Sequence, residues 1–265
     1  MKYYYKEKEI TKKEDWKNAF CSAYNKKEKE DKHWREGRSA ECLAEDFMGE
    51  NATGKETMIE MVRLCLNSQN ISLEKACIEH ASKFDEYKRP RMQDLAIWGR
   101  ADKKNIFIGI EAKVDEKFGS KSLSEQREYV NNLETNVNNL KTKTDAGNRL
   151  EKLIKDFLDE KKEEENKSLR YQLLYYLAGS IREPNTDVIF LPVIVYKTRA
   201  SKFNLYSKKL GDKNYNDYVN FMKALEFETL ALEFKTLDEK IHKIYHKKIT
   251  DNGITKDVYS TYIVK

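Results

Sequence analysis

Three residues near the middle of the chain have the types needed for metal-assisted phosphate chemistry. They are Asp94 and the first and last residues of the triplet Glu111-Ala112-Lys113. Carboxylate oxygens suit Mg²⁺, which takes one or two protein carboxylates while it keeps waters and binds substrate phosphate. A nearby lysine can orient or help deprotonate an attacking water, or neutralise charge that develops on a phosphoryl oxygen. These residue types therefore point to hydrolysis of a phosphate ester, provided that the fold brings them together.

Two predicted strands carry these residues. Residues 92–98 and 106–114 have β-strand character, and the polar stretch 99–104 between them has the composition of a hairpin loop. Because side chains alternate along a strand, Glu111 and Lys113 share the face opposite to the isoleucines of the second strand. The isoleucine face must enter a core, so the glutamate and the lysine project together from the other face.

The register of this hairpin decides whether the two acids meet. If the loop is 101–104, Trp98 pairs with Phe107 and Asp94 lies opposite Glu111. Opposed Cβ atoms are about 4.5–5.5 Å apart, and like charges at that separation are destabilising. A positive species must compensate them, and a divalent ion would do so. The alternative is an exposed hairpin face on which the acid and the lysine form a simple surface pair.

The surrounding elements are predicted from periodicity and from helix and turn signals. Helices are expected at 12–24, from 39 onward, and at 55–66, 72–84, 123–140, 148–162 and 169–182. The apolar run 188–196 predicts a buried central strand, in which Pro192 suggests a bulge or an edge position. Asp251-Asn252-Gly253 between alternating segments predicts a second hairpin.

These motifs together resemble the signature of the PD-(D/E)XK nuclease superfamily, whose members have the restriction-endonuclease-like fold. Asp94, the strand after it and Glu111-Ala112-Lys113 carry this resemblance, and Gln172-Leu173-Leu174-Tyr175-Tyr176 is similar to the Gln-x-x-x-Tyr motif of the RecB-like branch. The family order of helix, three strands, helix and strand is compatible with the predicted elements. The resemblance covers roughly residues 37–196. One departure is that Pro90 lies four residues before Asp94 rather than directly before it.

The resemblance implies a role for each matching residue. Asp94 and Glu111 would be metal ligands and Lys113 the catalytic lysine, with Mg²⁺ as the cofactor and Mn²⁺ as a substitute for it. Gln172 and Tyr176 would support the site from a neighbouring helix, since positions four apart share a helix face. A polar flank on an otherwise apolar helix is the alternative for these two residues.

The family often adds an acidic residue from its first core helix, for which Glu41 and Glu45 are the candidates. Helical projection places Glu41 nearer to the apolar stripe, so we expect Glu41 to be the metal ligand; the equal alternative is that both are solvated surface acids. Some RecB-like nucleases use an upstream histidine, and His80 is the one on a predicted helix, where a structural role is the alternative. All four cysteines precede Asp94, so we expect no iron–sulfur cluster.

Composition indicates a folded chain and limits the possible functions. The chain has 265 residues, of which 36% are charged and 11% aromatic, with a formal net charge of +5. These values argue against disorder and permit a polyanionic partner without requiring one. The resemblance, and not the composition, implies a single α/β domain with a restriction-endonuclease-like mixed sheet, an αβββαβ core at 37–196 and flanking helices, to which we expect an N-terminal helical extension at 1–36 and a strand-containing C-terminal extension at 197–265. No apolar run reaches the roughly 18 residues of a membrane span, and nothing resembles a signal peptide, so we expect a cytoplasmic protein without a membrane partner.

Two function classes follow. The first is a Mg²⁺-dependent nuclease with DNA as its expected substrate and with RNA left open. The second is a catalytically inactive, nuclease-like module that binds nucleic acid or protein, because the charges nearly balance and no strong basic stripe is evident. Contacts to a nucleic-acid backbone, or simply a solvated surface, would explain Lys117, Lys121, Lys141, Lys143 and Arg149. Endonuclease or exonuclease action and the oligomeric state, a homodimer included, stay open.

Overall fold

The computed structural model describes residues 1–23, 34–87, 90–114, 116–137, 145–198, 208–232, 234–235 and 240–265. Within them the strands are β1 (Lys2–Tyr5), β2 (Lys8–Ile10), β3 (Ile71–Ser82), β4 (Arg91–Ala101), β5 (Lys104–Lys113), β6 (Val188–Val195), β7 (Glu228–Thr229), β8 (Phe234–Lys235), β9 (Ile241–His242), β10 (Ile244–Asp251) and β11 (Ile254–Val264). The helices are α1 (Lys13–Ala23), α2 (Ser39–Met48), α3 (Gly54–Leu66), α4 (Leu123–Val137), α5 (Ala146–Phe157), α6 (Glu163–Asn166), α7 (Tyr171–Ile181) and α8 (Lys208–Ala224), with a 3₁₀ turn at Glu160–Lys162.

A large mixed sheet organises the described residues. Nine strands follow the order β2-β1-β3-β4-β5-β6-β11-β10-β7, and β8 pairs with β9 in a separate two-stranded sheet. Neighbouring strands are parallel in the pairs β1–β3, β5–β6 and β6–β11, and antiparallel elsewhere in the large sheet. Helices cover this sheet, which confirms the predicted α/β class with a large mixed sheet. In the described part of the chain, no helix is long and apolar enough to cross a membrane.

Each face of the sheet has its own hydrophobic core. Along β5, Ile106, Ile108 and Ile110 pack into one core together with residues of α1, α2 and α3. Phe107, between them in sequence, packs into the other core with residues of α5, α7 and α8. The alternation predicted for this strand is therefore confirmed. It leaves Glu111 on the same face as Phe107 and α7.

The predicted helix at 72–84 is wrong, because β3 occupies this segment. Its apolar residues Leu73, Ala76 and Ile78 fit a helical stripe almost as well as a strand, so local periodicity misleads here. The strand is fixed by its neighbours, since β1 pairs with it on one side and β4 on the other. Because β1 and β2 belong to the same sheet, the N-terminal extension is also not purely helical.

The β10–β11 hairpin turns where the sequence predicts it, with Asp251 opposite Ile254. The C-terminal segment is nevertheless more than an extension, because β11 runs parallel to β6 over eight paired residues in the interior of the sheet. The helix α8, which lies between β6 and this hairpin, was not anticipated from the sequence. It packs Tyr218 and Phe221 onto the same face as α7.

Pro192 lies in the interior of the sheet and not at an edge or a bulge. All eight residues of β6 are buried, and Pro192 stays in register with Thr261 of β11. On the β5 side, the ladder has a gap between the pairs Ile108–Phe190 and Glu111–Val193. A proline has no N–H to donate, so the backbone of β5 needs another donor at this gap.

The strands β3 and β4 bend where the candidate site begins. Ile78 pairs with Leu95 and His80 with Gln93, but the residues between them, Glu79 and Asp94, do not form a ladder pair. Glu79 has a φ of 49°, a conformation that a non-glycine residue seldom adopts. The bend carries the start of β4 away from β5 and over α7.

Candidate active site

Pairing between β4 and β5 ends immediately before the candidate acids. The predicted register is confirmed along the hairpin up to the last pair, Leu95 with Ile110. Beyond it, Oδ2 of Asp94 accepts a hydrogen bond of 2.8 Å from the backbone N–H of Ala112. A side-chain oxygen thus takes the place of a backbone acceptor at the point where the strands separate. It satisfies the N–H of Ala112 and places Asp94 beside Glu111.

Glu111 is the most enclosed member of the site, with only 1% of its side chain exposed. Its Oε1 lies 2.6 Å from Nζ of Lys113 and accepts a hydrogen bond of 2.6 Å from Nε2 of Gln172. Its Oε2 accepts a hydrogen bond from the guanidinium of Arg91. Asp94, Glu111, Lys113 and Gln172 are therefore brought together, with one further cation.

The charges of the site are strongly coupled. Burial and the negative charge of Glu111 raise the pKa of Asp94 to about 7. Burial also opposes ionisation of Glu111, but the positive charges of Arg91 and Lys113 outweigh it and lower the pKa of that carboxyl. Burial acts to lower the pKa of Lys113, whereas Glu111 and Asp94 outweigh this effect and raise it. Glu111 is thus an anion held by two cations, while Asp94 titrates near neutral pH.

Arg91 is the residue of this site that sequence reasoning missed. Regular alternation from Leu95 would put Arg91 on the face of the sheet opposite to Glu111. The sequence position of Arg91 therefore does not indicate that it belongs to the site. The bend reverses this orientation, and the stem of Arg91 packs against Gly179 of α7. A basic residue at a buried strand position next to two acids is the only signal that could have suggested it.

Tyr176 supports the sheet, and no hydrogen bond from it to Asp94 or Glu111 occurs among the described residues. Its hydroxyl lies 2.5 Å from the carbonyl oxygen of Gly109 and 3.2 Å from that of Pro192. It therefore supplies a donor at the ladder gap that Pro192 creates between β5 and β6. Its ring also lies 5.8 Å from the guanidinium carbon of Arg91. Tyr176 is thus a positioning residue for β5 and for Arg91.

The other acidic candidates lie apart from this cluster. Glu41 is closer to the core than Glu45, with side chains 16% and 52% exposed, but Nζ of Lys13 bridges the two at 2.5 and 2.7 Å. Glu41 also accepts a hydrogen bond from the backbone N–H of Gly37. Among the described residues, no three His, Cys, Asp or Glu side chains are grouped as metal ligands. The structure therefore does not group Glu41 with Asp94 and Glu111.

His80 lies on strand β3 rather than on a helix. Its Nε2 is 3.4 Å from Oε2 of Glu183. Its ring packs edge-on against the ring of Trp98, with the two ring centroids 4.8 Å apart. Burial opposes its protonation, but Cys77 and Glu183 outweigh burial and raise the pKa of His80 to about 9. These contacts give it a structural role beside the bend.

The basic residues suggested by the sequence divide into three groups. Arg149 is buried, pairs with Asp85 at 2.6 Å and therefore does not present a free charge to a nucleic acid. Lys117 is exposed, and Nζ of Lys121 lies over the ring of Tyr129. The other two, Lys141 and Lys143, lie outside the described residues.

The coupling of the two carboxyl groups predicts a pH-dependent effect of Asp94→Asn. Because the folded state raises the pKa of Asp94, native protein binds this proton more tightly than unfolded protein does, and stability falls as pH rises from about 4 to 7. In EDTA, Asp94→Asn should raise the unfolding free energy at pH 8 by about 1–2 kcal/mol, since one pKa unit corresponds to about 1.4 kcal/mol and partial exposure reduces the effect. The gain should shrink towards pH 5 in thermal unfolding.

The control for this measurement is Glu128→Gln, which neutralises an exposed carboxylate on α4. It should change stability by less than about 0.5 kcal/mol at either pH, as surface substitutions usually do. A stabilisation by Asp94→Asn that is equal at pH 5 and pH 8 would contradict the coupling.

The ladder gap predicts a structural cost for Tyr176→Phe. The substitution leaves the buried carbonyl of Gly109 without its hydroxyl donor, and such a loss costs about 1–3 kcal/mol. The matched control is Tyr171→Phe on the same helix, because no hydrogen bond of the Tyr171 hydroxyl occurs among the described residues. Chemical denaturation should show a clear loss of unfolding free energy for Tyr176→Phe only. Equal stabilities of the two variants would refute the assigned role of Tyr176.

Comparison with known proteins identifies a family but no activity. A family model described as a domain of unknown function, DUF6946, matches residues 9–249. No curated protein and no solved structure matches the chain. The matched region includes Asp94, Glu111, Lys113, Gln172 and Arg91, so the whole candidate site lies within it. The chain therefore belongs to the DUF6946 family.

Proposed function

We propose that this protein is a metal-dependent nuclease that hydrolyses phosphodiester bonds, with DNA as its first expected substrate. The observation that carries the proposal is the junction at which β4 and β5 separate. There, Asp94 and Glu111 lie side by side and Nζ of Lys113 is 2.6 Å from the Glu111 carboxylate. Two coupled carboxylates with a positioned lysine suit metal-assisted phosphate hydrolysis better than they suit structural stabilisation.

The order of elements supports a restriction-endonuclease-like core. The helix α2 precedes the three antiparallel strands β3, β4 and β5, and α7 precedes the parallel neighbour β6. This order matches the αβββαβ arrangement of the superfamily that the motifs resemble, with α3 to α6 as added helices. In this interpretation the N-terminal strands and β11 extend the common core on its two sides.

The donor set fits a hard divalent cation such as Mg²⁺ or Mn²⁺. Oδ1 of Asp94 has no hydrogen-bond partner among the described residues, and Oε1 of Gln172 is buried without one beside Glu111. Asp94 and Glu111 would hold the metal, and Gln172 could accept a hydrogen bond from a water near it. Arg91 competes for Oε2 of Glu111, so it must move away for both carboxylates to bind one ion.

When bound, the metal would supply Lewis acidity at the scissile phosphate. The residues of the chain would do the remaining work. Lys113, held against Glu111, can place its ammonium next to a phosphoryl oxygen or orient an attacking water. Arg91, once released from Glu111, has a guanidinium suited to a phosphate. Tyr176 keeps β5 in register with β6 and so fixes the backbone that carries Glu111 and Lys113.

Cleavage assays with site variants test this function. Wild type, Asp94→Ala and Glu111→Gln should be incubated with single-stranded and duplex DNA and RNA in Mg²⁺ or Mn²⁺, with Glu128→Gln as the matched surface control. Only wild type and the control should cleave, and EDTA should abolish their cleavage. Cleavage by the Asp94 and Glu111 variants at the wild-type rate would remove the proposed site.

Lys113 should affect turnover more than binding. Lys113→Ala should lower the cleavage rate by about 10²–10³-fold, because removing one positioned donor typically costs about 3–4 kcal/mol in the transition state. Lys113→Arg should not restore the rate, since a planar guanidinium is a poor substitute for a compact ammonium. Single-turnover cleavage and DNA binding in Ca²⁺ measure the two effects. Wild-type cleavage by Lys113→Ala would leave the lysine without a catalytic role.

A second candidate is a nuclease-like module that binds nucleic acid or protein without turnover. The ion pairs of Glu111 with Arg91 and Lys113 favour it, because these two cations already compensate the buried carboxylate. Calorimetric titration with Mg²⁺ and Mn²⁺ separates the two candidates. Metal binding that depends on Glu111 favours the nuclease, and no binding in the presence or absence of DNA favours the module.

A further inference from the structure

A groove lined by lysines and tyrosines opens at the same end of the sheet as the candidate site. It has a volume of about 470 Å³, and its walls come from α8, β9, β10, β11 and the segment after β6. Its lining includes three lysines and three tyrosines, namely Lys197, Lys240, Lys243, Tyr215, Tyr245 and Tyr262. This combination is unusual for a pocket that takes a small apolar ligand.

The register of the central strands places the groove close to the candidate site. Glu111 pairs with Val193, and Val193 pairs with Tyr262, so these residues form one row across β5, β6 and β11. Neighbouring strands are about 4.8 Å apart, which puts Tyr262 about 10 Å from Glu111 along this row. Val193 and Tyr262 pack into the same core, so the row lies on one face. A chain bound at Glu111 would have its neighbouring units within reach of the groove.

The tyrosines form a supported aromatic surface. Tyr215 is 41% exposed, and its ring meets that of Tyr262 nearly at right angles, with centroids 5.4 Å apart. Beneath them, Tyr218 is fully buried and packs against both Tyr245 and Tyr262 at 5.7 and 5.4 Å. Tyr215 is therefore held from behind while much of its ring stays open to solvent. Such a fixed ring can stack with a planar ligand at a low cost in conformational entropy.

The charge of the groove favours an anionic ligand. Lys197, Lys240 and Lys243 are exposed, and the described lining residues include no acid. Nζ of Lys240 also donates a hydrogen bond of 3.2 Å to the carbonyl oxygen of Val264, which keeps this lysine at the rim. Three cations around an exposed ring match a ligand that alternates phosphates with planar groups.

We propose that this groove binds single-stranded nucleic acid, with one base stacked on Tyr215 and the phosphates next to it contacted by Lys240, Lys243 and Lys197. The inference rests on the proposed function in that it names the form of the polymer presented to the site. A duplex keeps its bases stacked internally and offers the groove only its backbone, so unpaired strands are selected. DNA and RNA share the required chemistry.

Fluorescence anisotropy in EDTA tests the groove without cleavage. The probes are labelled oligonucleotides of one length: single-stranded DNA, single-stranded RNA, duplex DNA and an abasic DNA strand. Wild type should bind at least one of the two base-containing single strands about tenfold more tightly than the duplex and the abasic strand. Tyr215→Ala should lose this preference, whereas Tyr215→Phe should keep it because the ring remains. The DNA and RNA arms identify the preferred sugar, and either one satisfies the inference.

The salt dependence of binding measures the contribution of the lysines separately from that of Tyr215. Lys240→Gln with Lys243→Gln should reduce the slope of log K against log salt by about 1.4, because each phosphate contact on a single strand contributes about 0.7. The controls are Tyr129→Ala, an exposed tyrosine on α4, and Lys103→Gln in the β4–β5 turn. Both controls should bind as wild type does, and thermal unfolding confirms that every variant is folded.

The inference is overturned if Tyr215→Ala binds single strands within twofold of wild type, or if wild type binds the abasic strand as tightly as the base-containing strands. Its failure is distinguishable from failure of the proposed function. If cleavage depends on Glu111 and Lys113 but the groove variants bind as wild type does, only the inference about the groove is rejected. Loss of binding in Tyr215→Ala together with absence of any metal-dependent cleavage would retain the groove and favour a binding module.

Discussion

The buried carboxylate of Glu111 is the constraint on which the rest of the site depends. A charge taken out of water is costly unless it is paired and hydrogen-bonded. This protein meets that requirement with Arg91, Lys113 and Gln172, which come from three different elements. Each of those elements must therefore be held in place for the carboxylate to stay ionised. The bend in β4, the register of β5 and the docking of α7 all serve this one group.

In the central strands, a single proline requires a hydrogen-bond donor from another element of the fold. Pro192 interrupts the ladder between β5 and β6 in the most buried part of the sheet. Tyr176 reaches down from α7 and supplies the missing donor to Gly109. The hydroxyl thus joins the helix that carries Gln172 to the strand that carries Glu111. A motif expected to act on the carboxylates contributes through Gln172 directly and through Tyr176 by way of the backbone.

Local sequence predicted the features whose causes are local. The hairpin register followed from loop composition and alternation, which fix Trp98 opposite Phe107 without further information. The face shared by Glu111 and Lys113 followed from the same alternation. These features required only neighbours in sequence or the period of a strand.

Other features depended on residues far apart in the chain. The segment of β3 fits a helical stripe, and only its pairing with β1 and β4 makes it a strand. Arg91 enters the site because β3 and β4 bend together. Strand alternation alone would predict that Arg91 lies on the other face of the sheet. The ion pair of Glu41 with Lys13 of α1 is another contact between separate elements that the sequence did not indicate. The position of β11 inside the sheet likewise depends on a distant parallel partner, because its residues pair with residues of β6 that lie 69 positions earlier in the chain, as Asp257 does with Val188.

Anomalous diffraction from crystals soaked in Mn²⁺ tests the central claim most directly, namely that Asp94 and Glu111 form one divalent-ion site in which Arg91 is the competing cation. We expect a single strong anomalous peak within coordination distance of a carboxylate oxygen of each residue, about 2.0–2.2 Å away. We also expect the Arg91 guanidinium to have moved off Glu111. Saturating Mn²⁺ that leaves Arg91 paired with Glu111, with no peak between the two carboxylates, would contradict the claim.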